Sequence, residues 1–193
     1  NKAQQNAYRA MLDGFESLSP EFPVLRLDGK ELSDIFFRLR LDHPAIFYVE
    51  GFHYRFARNS EYVQMIPEYM FEKKKIKEMK TALEARISRL VRQAEGMTPE
   101  EKEKYVHEFI CSNVTYDKLK KQYSHEIIGP LQQGISVCEG IAKTVKILCD
   151  RMGLECLIAI SESAPDRGIR YRHAWNLVKL KNTWYHLDAT FDN

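Results

Sequence analysis

Gly134-Ile135-Ser136-Val137-Cys138-Glu139-Gly140-Ile141-Ala142 decides the fold, because this stretch aims one thiol at the first turn of a helix. From Cys138 onward, Ile141, Ala142, Val145, Leu148, Cys149 and Met152 recur at helical spacing, and Gly153 supplies a stop. Ser136, followed three residues later by Glu139, reads as a capping box in which each side chain satisfies the other's backbone amide. That pattern predicts Cys138 at the second helical position. Free amides and the positive end of the helix dipole converge there and favour thiolate over thiol, below the ordinary cysteine value of about 8.5. Cys138 is therefore a candidate nucleophile; the plainer reading is a small apolar residue opening the buried face of a helix. A partner base decides between the two.

Downstream, His173-Ala174-Trp175-Asn176-Leu177-Val178-Lys179-Leu180 and Thr183-Trp184-Tyr185-His186-Leu187-Asp188-Ala189-Thr190-Phe191 alternate as strands, with Lys181-Asn182 as the turn between them. A two-residue turn there pairs His173 with Thr190 and puts Asp188 two residues along on the same face. Such diagonal neighbours lie roughly 7 to 8 Å apart at the backbone, within reach of an imidazole and a carboxylate. A thiol that attacks an amide carbonyl needs a base to take its proton and return it to the leaving amine, and a third group to orient that base. His173 and Asp188 suit those roles. Taken singly, each has an ordinary reading, as a surface or core histidine and as a turn or strand-end residue.

Upstream, residues 2 to 18 read as a helix with Tyr8, Met11, Leu12 and Phe15 on one side. A Pro-interrupted stretch follows, then a second helix marked by Leu32, Ile35, Phe36 and Leu39. Ile46 to Phe56 and Glu61 to Ile66 read as a hairpin across Ala57-Arg58-Asn59-Ser60, with Pro67 ending the second strand. These pieces predict a small α+β N-terminal region over residues 1–70. Over 71–193, Glu72 to Ala94 forms a long charged helix, and Thr98-Pro99-Glu100-Glu101 is a second capping box opening a helix through Cys111. Residues 113 to 137 carry less regular structure and suit a substrate groove. Glu155 to Ser161 is a short apolar strand, followed by a polar, mobile loop from Glu162 to Arg172. Helices preceding antiparallel strands give an α+β main domain.

Composition narrows the partners. Twenty-nine basic against 27 acidic residues leave a net charge of +2, too balanced to imply a nucleic-acid partner. No apolar run reaches the length of a membrane span. Lys73-Lys74-Lys75 reads as a solvated helix face. None of the four cysteines, Cys111, Cys138, Cys149 and Cys156, shows metal or thioredoxin-type spacing. His107, His125, His173 and His186 lack ligand spacing as well, so no metal or cofactor is expected. Cys111, Cys149 and Cys156 read as reduced core residues, with a Cys149–Cys156 disulfide left open. The chain opens on Asn1 rather than Met, and its compartment, cytoplasmic or secreted, stays open, as does its oligomeric state.

Ser136-Val137-Cys138-Glu139-Gly140, His173-Ala174-Trp175-Asn176 and Trp184 to Asp192 resemble, in order and separation, the three blocks of the bacterial transglutaminase-like superfamily. The resemblance covers residues from about 100 to the end. It implies a papain-like core in which a nucleophile-bearing helix packs on an antiparallel sheet. Cys138, His173 and Asp188 would be nucleophile, base then acid, and orienter. The implied activity is formation of a thioester from a peptide or side-chain amide of a protein or peptide substrate, then transfer to water (a peptidase or amidase) or to an amine. The alternative is a noncatalytic peptide-binding module that keeps the fold. Where the family commonly shows Thr-Trp-Asp, this chain has Thr190-Phe191-Asp192, and it ends soon after Asp188, which leaves open a C-terminal extension. For the oxyanion, the Cys138 amide is the first donor, with Gln132 and Gln133 as side-chain candidates; Trp175 would wall the site or pack its strands.

Overall fold

A computed structural model describes residues 1–161 and 173–193. The polar loop expected from Glu162 to Arg172 lies outside the described residues. The chain divides into two compact units, Asn1–Met79 and Lys80–Asn193, whereas the predicted elements put the boundary after residue 70.

In the first unit, helix α1 (Lys2–Glu16) and helix α2 (Gly29–Asp42) accompany strands β1 (Phe22–Leu25), β2 (Val49–Phe56) and β3 (Tyr62–Tyr69). Both helices start on capping boxes, Asn1 with Gln4 and Asp28 with Glu31. The sheet is antiparallel in the order β1-β3-β2. Two expectations fail here. The Pro-interrupted stretch contains β1, an edge strand, where a proline is tolerated because one side of the backbone has no ladder to join. Pro67 does not end β3, which runs on to Tyr69 opposite β2. β1 pairs only with residues 62–65, so at Pro67 the strand has a neighbour on one side alone and can spare the missing N–H. Met11, Phe15, Leu32, Phe36, Tyr48 and Met65 form the buried centre, and the Tyr48 hydroxyl donates to the Phe15 carbonyl at 3.1 Å.

The division falls inside helix α3 (Lys73–Gln93). The second unit continues with helix α4 (Pro99–Asn113), strand β4 (Thr115–Tyr116), strand β5 (Ile135–Ser136), helix α5 (Cys138–Arg151), and strands β6 (Cys156–Ile160), β7 (Ala174–Leu180) and β8 (Thr183–Leu187). Residues 113 to 137 are more ordered than their sequence suggests. β4 and β5 pair in parallel, and a 3-10 turn (Gln122–His125) and a π turn (Gly129–Gln133) lie between them.

β6, β7 and β8 form an antiparallel sheet in that order. Lys181 and Asn182 are the two turn residues, with φ of 48° and 65°. Two left-handed residues in a two-residue loop give the primed turn whose twist matches a hairpin. Leu177 pairs with His186 and Asn176 with Leu187, the expected register. Ala174, Asn176 and Val178 of β7 face α5, whose Ile141, Ala142, Val145, Leu148 and Cys149 are buried. The side-chain amide of the buried Asn176 donates to the Ala142 carbonyl at 2.9 Å and so ties strand to helix. All four cysteines are free.

Candidate active site

The capping box expected at Ser136 and Glu139 does not form. α5 begins at Cys138 itself, capped by Val137 without a side-chain hydrogen bond, so the thiol occupies the first helical position and not the second. Ser136 is fully buried, and its hydroxyl donates to the Ser124 carbonyl at 2.8 Å and the Val137 carbonyl at 3.0 Å. Glu139 turns instead to Lys143 and His125. Both side chains thus have better partners than the helix amides.

The Cys138 sulfur accepts two backbone N–H groups, from Ala174 on β7 and from Glu139 on its own helix. Both favour thiolate. Burial nonetheless dominates and pushes the thiol above its ordinary value, with the Glu139 and Asp188 charges adding to the rise. The surroundings of the sulfur thus work against the thiolate that the helix start alone would favour.

His173 lies next to Ala174, at the end of β7 that meets the sulfur. Its backbone is pinned to Ser161, whose Oγ accepts the His173 N–H at 2.8 Å while the Ser161 N–H donates to the His173 carbonyl at 2.9 Å. The His173 Nε2 meets Asp188 Oδ2 at 2.6 Å, slightly inside the 2.7 to 3.2 Å usual for such a bond. The second Asp188 oxygen accepts the Phe191 N–H at 3.2 Å, which fixes the carboxylate. With Nε2 engaged by Asp188, Nδ1 is the remaining ring nitrogen. No hydrogen bond joins it to Cys138; contacts of this kind often tighten only around a substrate.

Trp175 lies on the same face of β7 as His173, its ring nearly parallel to the imidazole (18°) with centroids 5.8 Å apart. Its indole N–H donates to His186 Nδ1 at 2.9 Å, so the indole is held by a neighbour on β8. Gln132 and Gln133 are exposed on the π turn, and the side chain of neither hydrogen-bonds a described residue. Tyr116 was not anticipated. Its strand β4 runs beside β5, opposite Ser136, and burial together with the nearby Cys138 raises the phenol's pKa. Only a parallel β4–β5 pairing brings it there, and two-residue strands leave no periodic signal. Among the described residues no group of three or more His, Cys, Asp or Glu side chains is arranged to hold a metal ion. No helix among them is long and apolar enough to cross a membrane.

A family model described as transglutaminase-like superfamily matches residues 85–189, just over half of the chain. Among solved structures, one described as a TGase aligns with a TM-score of 0.47 and 14% identity, over 88% of this chain and 50% of that one. A candidate protease from Parabacteroides distasonis aligns with a TM-score of 0.42 and 10% identity, over 74% of this chain and 37% of its own. The chain therefore spans half or less of the length of these structures. No curated relative matches it.

Proposed function

The chain belongs to the transglutaminase-like superfamily, and on that premise we propose that it is a thiol enzyme that forms a thioester with a peptide or side-chain amide and passes the acyl group to water. One observation carries this reading: His173, whose Nε2 meets Asp188 Oδ2 at 2.6 Å, is followed directly by Ala174, whose backbone N–H is at the Cys138 sulfur.

In the proposed reaction, Cys138 attacks the amide carbonyl as its proton passes to His173 Nδ1. Asp188, on Nε2, steadies the imidazolium that results. The Cys138 amide, at the uncapped start of α5, is the first donor for the developing oxyanion. When the tetrahedral adduct collapses, His173 returns the proton to the leaving amine and the thioester remains. Water, deprotonated by His173, then releases the acid and frees the thiol; an amine in place of water would give transamidation.

The test is to incubate the protein with a peptide library and identify the acyl group on Cys138 by mass spectrometry. An adduct confined to the Cys138 peptide, and absent from Cys138→Ala, is the expected result. A protein that binds peptides but never carries an adduct, with Cys138 no more reactive toward iodoacetamide than Cys111, would instead be a noncatalytic binding module.

A further inference from the structure

A buried charge cluster sits behind the first turn of α5. The Lys143 side chain is 0% exposed, and its ammonium donates to Glu126 Oε1 at 2.8 Å and to the His125 carbonyl at 3.2 Å. It also pairs with Glu139 Oε1 at 2.9 Å. The other Glu139 oxygen meets His125 Nδ1 at 3.0 Å, and His125, 39% exposed, carries the cluster to solvent. Burying an ammonium is costly unless it is paired and hydrogen-bonded, and the two carboxylates and the carbonyl supply those partners. Such a cluster seldom outperforms well-packed apolar side chains for stability. Its place in the fold gives it another use.

Glu139 touches Cys138 in two opposed ways. Its backbone N–H donates to the sulfur and favours thiolate, whereas its carboxylate charge disfavours it. Lys143 and His125 hold that carboxylate from two sides, Lys143 from the same helix and His125 from the segment packed against it. Gly140 permits the close approach, since a Cβ there would collide with the Ser124 carbonyl and the Ser136 hydroxyl. Asp188 is the charge that faces the sulfur from the sheet side.

We propose that Lys143, Glu126 and His125 form a clamp on Glu139 that positions the amide under the Cys138 sulfur and balances the charge the thiol feels, a role that rests on Cys138 being the nucleophile. These are positioning residues, acting through Glu139. Glu139→Gln keeps the side-chain shape and an acceptor for Lys143 while deleting the negative charge. Lys143→Met combined with Glu126→Gln deletes a matched pair and leaves the Glu139 charge less compensated.

The pH dependence of Cys138 alkylation by iodoacetamide, followed by peptide mapping of the full chain, reads both. Glu139→Gln should lower the midpoint by about half a pH unit, roughly a threefold faster rate at fixed pH below it, and the double variant should raise it by a similar amount. Opposite shifts support a clamp that balances charge; a purely structural role would not separate the two variants by sign. An unshifted or raised midpoint in folded Glu139→Gln overturns the clamp even if the double variant does not fold. Wild-type protein that labels at Cys111, Cys149 or Cys156 before Cys138 overturns the nucleophile assignment, and the clamp with it.

Discussion

Helices α4 and α5 open on the same pattern, Thr98-x-x-Glu101 and Ser136-x-x-Glu139, but their N-termini are built differently. At α4 the Thr98 hydroxyl oxygen accepts the Glu101 N–H at 3.3 Å and Glu101 Oε2 accepts the Thr98 N–H at 2.8 Å, a closed capping box with Pro99 behind it. At α5 neither bond exists. The α4 cap is exposed, so its polar groups have only water and each other as partners. Around α5, a buried carbonyl and a buried ammonium compete for the same side chains, and an unsatisfied buried group costs more than a missing surface cap. The uncapped turn keeps its amides for other work. One of them, from Glu139, holds the Cys138 sulfur.

The largest expected effect sharpens this contrast between a helix end that serves stability and one that, in the proposed reaction, serves chemistry. Cys138→Ala should lower kcat/KM by at least about a thousandfold, because the bond-forming atom is gone. Its stability should stay within about 1 kcal/mol of the parent, since the half-buried thiol neither caps α5 nor fills the core. Turnover that survives the substitution in a folded protein would remove Cys138 from the mechanism.

What the sequence disclosed, and what it hid, follows the same division. The β7–β8 register was legible because Lys181-Asn182 fixes a two-residue turn and the alternation then assigns every side chain to a face; the His173–Asp188 bond follows from that arithmetic. The start of α5 was legible to within one residue. Its capping was not, because a local pattern carries no information about Ser124, Glu126 or His125 arriving from another segment. Lys143 and Lys146 look like solvent-facing positions, yet both are buried: besides a carboxylate one turn away, Lys143 meets Glu126 and Lys146 donates to the Cys156 carbonyl, partners that only the folded chain supplies. β1 was hidden by Pro23, and the extent of β3 by Pro67, since a proline's effect on a strand depends on which neighbours that strand has. Tyr116 reaches the site through a strand too short to announce itself.

A second test probes how tightly α5 must sit against the segment that took its cap. Gly140→Ala should destabilise the protein by roughly 1 to 3 kcal/mol, because the added methyl meets the Ser124 carbonyl and the Ser136 hydroxyl, one of which is backbone and cannot swing aside. Thermal or urea unfolding measures it. If Gly140→Ala is as stable as the parent, the 124–126 segment is not held against the helix, and competition for the cap loses its physical basis.

The smallest effects come from the two would-be caps themselves, and their difference lies in kind rather than size. Thr98→Ala removes an exposed side-chain cap and should cost about 1 kcal/mol, with the rate of Cys138 alkylation unchanged. Ser136→Ala should cost about the same, for a different reason. It deletes one hydrogen bond to the Ser124 carbonyl, an acceptor that still receives the Val137 N–H at 3.1 Å and so is not orphaned. Because that bond ties β5 and the entry to α5 to the segment carrying His125 and Glu126, its loss should also change the Cys138 alkylation rate, which the Thr98 substitution leaves alone. Unfolding free energies alone cannot distinguish the two variants; unfolding paired with alkylation can. Equal alkylation rates in both variants would mean that the Ser136 hydroxyl contributes only stability, and that the chemistry at α5 does not depend on how its N-terminus is anchored.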